Sequence, residues 1–74
     1  MSARAEWRQT GNGFEAKVGE GALLLVVFYE HGWKVGINDR VVKFEYPDAV
    51  TAKAAAISWA REKLKMMAAE LDRL

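Results

Sequence analysis

The sequence contains no cysteine and only one histidine, one proline and two serines. Without cysteine, the chain can form neither a disulfide nor a thiolate metal site, and this absence fits an intracellular protein. His31 has no second histidine or cysteine with which to complete a metal site or a catalytic arrangement. Its neighbour Glu30 would point to the opposite face of a strand. We therefore expect His31 to be a solvent-facing residue of a turn that it forms with Gly32.

The remaining polar residues form no pattern that is typical of an enzyme. The carboxylates are scattered singly, the serines lie in no nucleophile motif, and no glycine-rich phosphate-binding loop precedes the predicted helix. A nucleophile, a base and a stabilising donor therefore cannot be assigned together. The sequence predicts a protein that is not an enzyme, with no catalytic residue, no cofactor and no metal ion.

Long apolar runs and an excess of one charge are also missing. The longest apolar run, Ala22 to Tyr29, is far shorter than the roughly 20 residues that cross a membrane, and the first ten residues lack the apolar core of a signal peptide. We expect a cytoplasmic protein without membrane contact.

Eleven basic residues oppose ten acidic ones, whereas nucleic-acid binders usually carry a concentrated basic patch. Nucleic acid is therefore the less favoured partner.

With 74 residues, the chain is predicted to form one domain, with strands over about 5–46 and a helix over about 49–72. Apolar residues alternate with polar ones in three segments, 14–18, 33–37 and 42–46, which is typical of half-buried strands. A first strand is predicted over 5–9. The apolar segment 22–30 predicts a strand that is either central or covered on both faces. Glycine-rich and Asn-containing turns separate these strands, so consecutive antiparallel pairing is expected.

Pro47 ends the sheet because it lacks an amide hydrogen, and Asp48 is the favoured helix N-cap, with Thr51 as a second choice. Apolar residues then recur every seven positions, and we expect this stripe to face the sheet: Val50, Ile57, Leu64 and Leu71. Ala56, Ala60 and Met67 widen the stripe. The predicted fold is α+β, an antiparallel β-meander of four to five strands packed against one long C-terminal helix.

The predicted helix is longer than the predicted strands. A helix of 24 residues is about 36 Å long, whereas a six-residue strand is about 20 Å, so roughly a third of the helix would overhang the sheet. The overhang carries consecutive methionines, Met66 and Met67, beside several leucines. An apolar overhang predicts either a homodimer through the helix end or a site for another protein; a partly exposed tail is the alternative.

Tryptophan is enriched among the residues that dominate protein interfaces. Trp59 lies about 200° around the helix from Ile57, so it either flanks the sheet or projects outward. Trp33 is in phase with two core-facing positions, which favours packing, and Trp7 has no preferred placement. The predicted partner-binding residues are Trp33, Trp59, Arg61, Lys65 and Met66.

Two resemblances refine this prediction. The segments "GWKVGIN", "VVKFEY" and "AKAAAISWAREKL" resemble the second half of a double-stranded-RNA-binding domain, which implies a nucleic-acid-binding β-β-α arrangement. Trp7, the hairpin 11–14, Gly32-Trp33 and the segment 52–59 resemble, along nearly the full length, small orphan proteins of bacteriophages and prophages. That group includes anti-CRISPR inhibitors, which act as stoichiometric binders.

The predicted function is therefore a non-enzymatic protein-binding module. The resemblance to phage proteins implies an inhibitor that sterically blocks a bacterial defence complex, an immune nucleoprotein assembly in the host cytoplasm. One alternative is a small nucleic-acid-binding protein that uses Lys53, Arg61, Lys65 and the strand cations. The other alternative is a structural or assembly protein that dimerises through its helix.

Overall fold

Four tight turns allow each strand to pair with the next one along the chain. The computed structural model describes residues 6–74. The elements are β1 (Arg8–Gln9), β2 (Gly13–Val18), β3 (Leu23–Tyr29), β4 (Trp33–Ile37), β5 (Arg40–Val41) and α1 (Ala49–Leu71). The strands form one antiparallel sheet in the order β1-β2-β3-β4-β5, and α1 packs on one face. This is the predicted meander-plus-helix fold; Ala5, where the predicted first strand begins, lies outside the described residues.

The register of the central strands places the branched side chains in rows across the sheet. Ala16 of β2 lies opposite Leu25 of β3, which in turn lies opposite Ile37 of β4. In the next row, Val27 pairs with Val35, and both are fully buried. The central position predicted for the segment 22–30 is confirmed, although α1 covers only one face of the sheet.

The turn between β3 and β4 contains the residue pair that the sequence predicted there. His31 is exposed and has a left-handed φ of 61°, and Gly32 follows with φ 154°. This positive φ is a backbone conformation that residues with a side chain rarely adopt, so glycine is favoured here for its backbone freedom. His31 is thus a turn residue on the surface.

The predicted fifth strand over 42–46 is wrong in its extent. Only Arg40 and Val41 pair with β4, opposite Ile37 and Gly36. The chain then leaves the sheet and returns for a single bridge between Tyr46 and Trp33. Alternation in this segment reflects side chains that turn toward the helix without a continuous ladder of backbone hydrogen bonds.

The N-terminus of α1 follows the predicted capping pattern. Oδ1 of Asp48 accepts a hydrogen bond from the backbone N–H of Thr51 at 2.7 Å. Hydrogen bonds from the backbone and then from the side chain of Thr51 hold the pKa of the Asp48 carboxyl below its ordinary value. The cap satisfies one of the amides that the first helical turn leaves unpaired.

The face of α1 that packs on the sheet is made of alanine. It includes Ala56 and Ala60 from the predicted stripe, whereas the seven-residue repeat at the centre of that stripe does not face the core. The buried helix residues are Ala52, Ala56 and Ala60. Val50 is 77% exposed, and the other stripe residues, Ile57, Leu64 and Leu71, are also exposed. The sheet already supplies large branched side chains, so small residues opposite them allow a close approach. Ile57 lies about 100° around the helix from Ala56, which places it at the flank.

The predicted overhang of α1 is present. Ala60 is the last buried residue of the helix, and beyond it only Lys63 is half-buried. The helix has 23 residues, about 35 Å, whereas the seven residues of β3 span about 23 Å. Within residues 6–74, no helix combines the length and the apolar character needed to cross a membrane.

Candidate functional site

A groove of about 530 Å³ opens between the chain that follows β4 and one side of α1. We name it the Trp59 groove. The sheet side contributes Ile37, Arg40, Val41, Val42, Lys43 and Phe44, and the helix side contributes Trp59, Glu62, Lys63, Met66, Met67 and Glu70. Its volume lies within the range of roughly 300–1,000 Å³ that is usual for binding pockets.

Two aromatic rings form the wall of the Trp59 groove. The rings of Phe44 and Trp59 are stacked, with 6.1 Å between their centroids and 18° between their planes. Both remain substantially accessible, since Phe44 is 59% exposed and Trp59 is 39% exposed. Met66, about two helical turns further along α1 on nearly the same side, is exposed as well. The result is a continuous apolar surface that the rest of the molecule leaves uncovered.

The indole of Trp59 is held from the sheet edge. Its Nε1–H donates a hydrogen bond to the hydroxyl of Tyr46 at 3.1 Å. Tyr46 is in turn fixed by two backbone hydrogen bonds with Trp33, one in each direction. The return of the chain to β4, immediately before Pro47, therefore positions the wall of the groove.

Charges of both signs surround the apolar surface. Arg40 and Lys43 lie on the sheet side, and Lys63 lies between Glu62 and Glu70 on the helix side. The lysines and the arginine outnumber the two glutamates, so the rim is slightly basic. Within residues 6–74, no group of three or more His, Cys, Asp or Glu residues could hold a metal ion.

The structure brings together only two of the five predicted partner-binding residues. Trp59 and Met66 line the groove. Arg61 lies about 200° around the helix from Trp59, and Lys65 lies about 140° from buried Ala60, so both belong to the exposed side of α1. Trp33 is half-buried against the core. Contacts of these three residues with a partner stay predictions.

The other two tryptophans, Trp33 and Trp7, pack against residues within the fold. Trp33 makes an edge-to-face contact with the ring of Tyr29, with 5.6 Å between centroids. Trp7 packs against the core and takes part in a small aromatic cluster around Lys53, whose Nζ lies 3.6 Å from the centroid of Phe14 and 5.7 Å from that of Trp7. This contact of Lys53 sets it apart from Arg61 and Lys65, with which the sequence grouped it.

Phe44 is the aromatic residue of the groove wall that the predicted site does not include. Its alternation with Val42 and Tyr46 indicated a strand and a core position. The early end of β5 leaves Phe44 on the surface instead, stacked on a helix residue. Pro47, three residues later, was the available signal that the sheet was ending in this segment.

No protein-family model, no curated protein and no solved structure matches this chain.

Proposed function

We propose that the protein is a non-enzymatic protein-binding module and that the Trp59 groove is its binding surface. The observation that supports this proposal is the exposed strip formed by Phe44, Trp59 and Met66. Tryptophan is enriched at interface hot spots, and methionine adapts its unbranched side chain to irregular partner surfaces. An apolar surface of this kind on a small protein is typical of an interaction site.

The groove is suited to binding because its wall is fixed before a partner arrives. Trp59 is held on one side by the ring of Phe44 and at its polar edge by the hydroxyl of Tyr46. A side chain that is already ordered loses little conformational entropy when it is buried in an interface. Rigid aromatic anchors of this type contribute area at low entropic cost.

The composition of the groove indicates the chemistry of its partner. The apolar strip would bind an aliphatic or aromatic side chain of the partner. The basic sheet-side rim, Arg40 and Lys43, favours acidic residues next to that side chain. We infer a protein surface that presents an apolar side chain flanked by carboxylates.

The more specific role within this proposal is inhibition of a bacterial defence complex. It rests on the resemblance of the chain to small phage proteins, a group that includes anti-CRISPR inhibitors, which act by binding and not by catalysis. The mechanism would be steric: the module covers a surface that the defence complex needs for its nucleic acid or its effector. The partner would then be a protein subunit of that complex.

A paired substitution on α1 tests this function. Met66→Glu places a charge in the groove, whereas Ala54→Glu places the same charge on the exposed side of the same helix. Tagged wild-type protein and both variants are used to isolate complexes from bacteria that carry defined CRISPR systems, and bound subunits are quantified. We expect wild type and A54E to recover the same defence subunit in stoichiometric amounts, and M66E to recover at least tenfold less.

Each other outcome counts against a stated part of the proposal. Equal recovery by M66E contradicts the groove as the binding surface. Recovery of a stoichiometric partner outside the defence complexes contradicts the inhibitor role but supports the binding module. Recovery of no stoichiometric protein contradicts the binding module itself, and salt-sensitive binding of duplex DNA or RNA in the same preparations would favour the nucleic-acid alternative.

A further inference from the structure

From Ile57 to the end of α1 and on to Leu74, just beyond the helix, apolar residues follow a heptad pattern. Ile57, Leu64 and Leu71 occupy one heptad position, and Ala60, Met67 and Leu74 occupy the position three residues later. We name these six residues the helix seam. The two alternating positions are those that face the neighbouring helix in a coiled coil.

The sheet covers only the beginning of the helix seam. Ala60 is buried, but Leu64 and Met67 are about half exposed, and Leu71 and Leu74 are more exposed still. Apolar residues at consecutive seam positions on an uncovered helix require another apolar surface to shield them from water.

We propose that a second copy of this chain covers the helix seam, with the two helices antiparallel and Leu64 of each copy facing Met67 of the other. This inference goes beyond the proposed function because it concerns a second copy of the chain. The seam shares Met67 with the adjoining Trp59 groove, whereas Ile57, Leu64 and Leu71 do not line that groove. The seam serves self-association, whereas the Trp59 groove binds another protein.

Charge complementarity selects this arrangement. With Leu64 opposite Met67, the residues that flank the seam bring Lys63 of one copy against Glu70 of the other. Two-fold symmetry repeats the contact, so the dimer contains two such attractive pairs. In a parallel dimer, the same flanking rule would place Lys63 beside Ala68, and no ion pair would form.

The position of the sheet also favours antiparallel helices. Each sheet covers the first half of its own helix, so antiparallel overlap of the second halves keeps the two sheets at opposite ends. Parallel helices would bring both sheets to the same end, where they would compete for space.

The same register gives the end of each helix a place to bind. Leu74 of the second copy, just beyond the end of its helix, would approach Ile57 and a largely apolar pocket of about 120 Å³ that is also lined by Glu6, Trp7, Ala16, Val18 and Leu25. Apolar cavities of about 150 Å³ take a benzene-sized group, so a pocket of this size suits one leucine side chain.

The first test is the molar mass of the purified full chain, measured by sedimentation equilibrium over a range of concentrations. We expect wild type to approach twice the 8.3 kDa of one chain and Leu71→Glu to remain at 8.3 kDa. Ala54→Glu, which lies off the seam on the exposed side of the helix, is expected to dimerise as wild type does. A monomeric wild type at the highest concentration overturns the proposal, as does an L71E variant that dimerises normally.

A charge exchange tests the orientation of the helices. Lys63→Glu alone and Glu70→Lys alone should each raise the dimer dissociation constant at least fivefold, because each places like charges in contact. The double variant K63E/E70K should restore it to within about twofold of wild type. Failure of the double variant to recover overturns the antiparallel register. Circular dichroism confirms that the variants keep their helix, so a loss of dimer cannot be mistaken for unfolding.

Discussion

The indole Nε1–H of Trp59 donates a hydrogen bond to the hydroxyl of Tyr46 at 3.1 Å and so joins the middle of α1 to the last residue before Pro47. Tyr46 itself is bound to Trp33 of β4 through the backbone. One hydrogen bond therefore connects the helix to the sheet edge and sets the orientation of the groove wall. The stacked ring of Phe44 holds the indole from its other side.

Removing the Tyr46 hydroxyl should weaken the fold modestly and loosen the groove. Tyr46→Phe deletes the acceptor, and a typical intramolecular hydrogen bond contributes about 0.5–1.5 kcal/mol to the free energy of unfolding. Urea unfolding measures that loss, and the Trp fluorescence of the folded protein should also shift. Tyr29→Phe is the matched control, because Tyr29 contacts Trp33 through its ring. A loss as large in Y29F would contradict the importance of the Tyr46 hydroxyl.

The alanine face of α1 should tolerate no enlargement. Ala56 is fully buried against the sheet, and inserting a larger side chain into a packed core costs about 1–3 kcal/mol or more. Ala56→Leu should lower the free energy of unfolding by at least that amount. Ala54→Leu, on the exposed side of the same helix, should change it by about 0.5 kcal/mol or less. Similar stabilities of the two variants would contradict the helix orientation described above.

The leucines of the sheet and those of the helix end should differ sharply in their importance for stability. Leu25 is 3% exposed, so Leu25→Ala should reduce the free energy of unfolding by about 2–5 kcal/mol. Leu64 is about half exposed, and Leu64→Ala should cost far less when unfolding is measured at concentrations where the chain is monomeric. If L64A lowered the free energy of unfolding more than L25A, the seven-residue stripe would face the core, which contradicts the packing described above.

The cap of α1 should give stability a specific dependence on pH. The hydrogen bonds from Thr51 hold the pKa of folded Asp48 below its ordinary value of 3.8. The ionised carboxylate thus stabilises the fold above pH 3.8, and this contribution is lost as the pH falls through the lowered folded pKa. Asp48→Ala should lower the melting temperature at neutral pH, and its difference from wild type should shrink in strong acid. A difference that is constant across this range would contradict the carboxylate cap.

The sequence predicts the order of the elements well because their signals are local. Alternation identifies β2 and β4, glycine and asparagine mark the turns, and Asp48 with Pro47 marks the start of α1. The overhang of the helix also follows from lengths alone. Each of these features depends on a few neighbouring residues and on the geometry of strands and helices.

The face of the helix could not be read from apolar spacing. A seven-residue repeat of Val50, Ile57 and Leu64 describes equally well a stripe that faces a core and one that is left for another molecule. The sheet determined the outcome, since its large side chains require small residues opposite them, and Ala52 with Ala56 provides these. That choice depends on how two elements pack together, which no single segment shows.

The groove was only half predictable for a similar reason. Trp59 and Met66 can be predicted as binding residues from their residue types. Phe44 lies beside them only because β5 ends after Val41. Arg61 and Lys65 belong to the predicted binding set with Trp59, whereas the helix directs them away from the groove to its exposed side. Only the three-dimensional arrangement separates the residues that line one surface from those that are merely near each other in the chain.

The binding affinity of the purified partner for three versions of the protein tests the central claim most directly. Isothermal titration would compare wild type with M66E and A54E, which carry the same added charge on different sides of α1. We predict that M66E raises Kd at least 100-fold, about 2.8 kcal/mol at 1.4 kcal/mol per tenfold change, and that A54E stays within about twofold of wild type. Equal affinities of M66E and wild type would contradict the Trp59 groove as the binding surface.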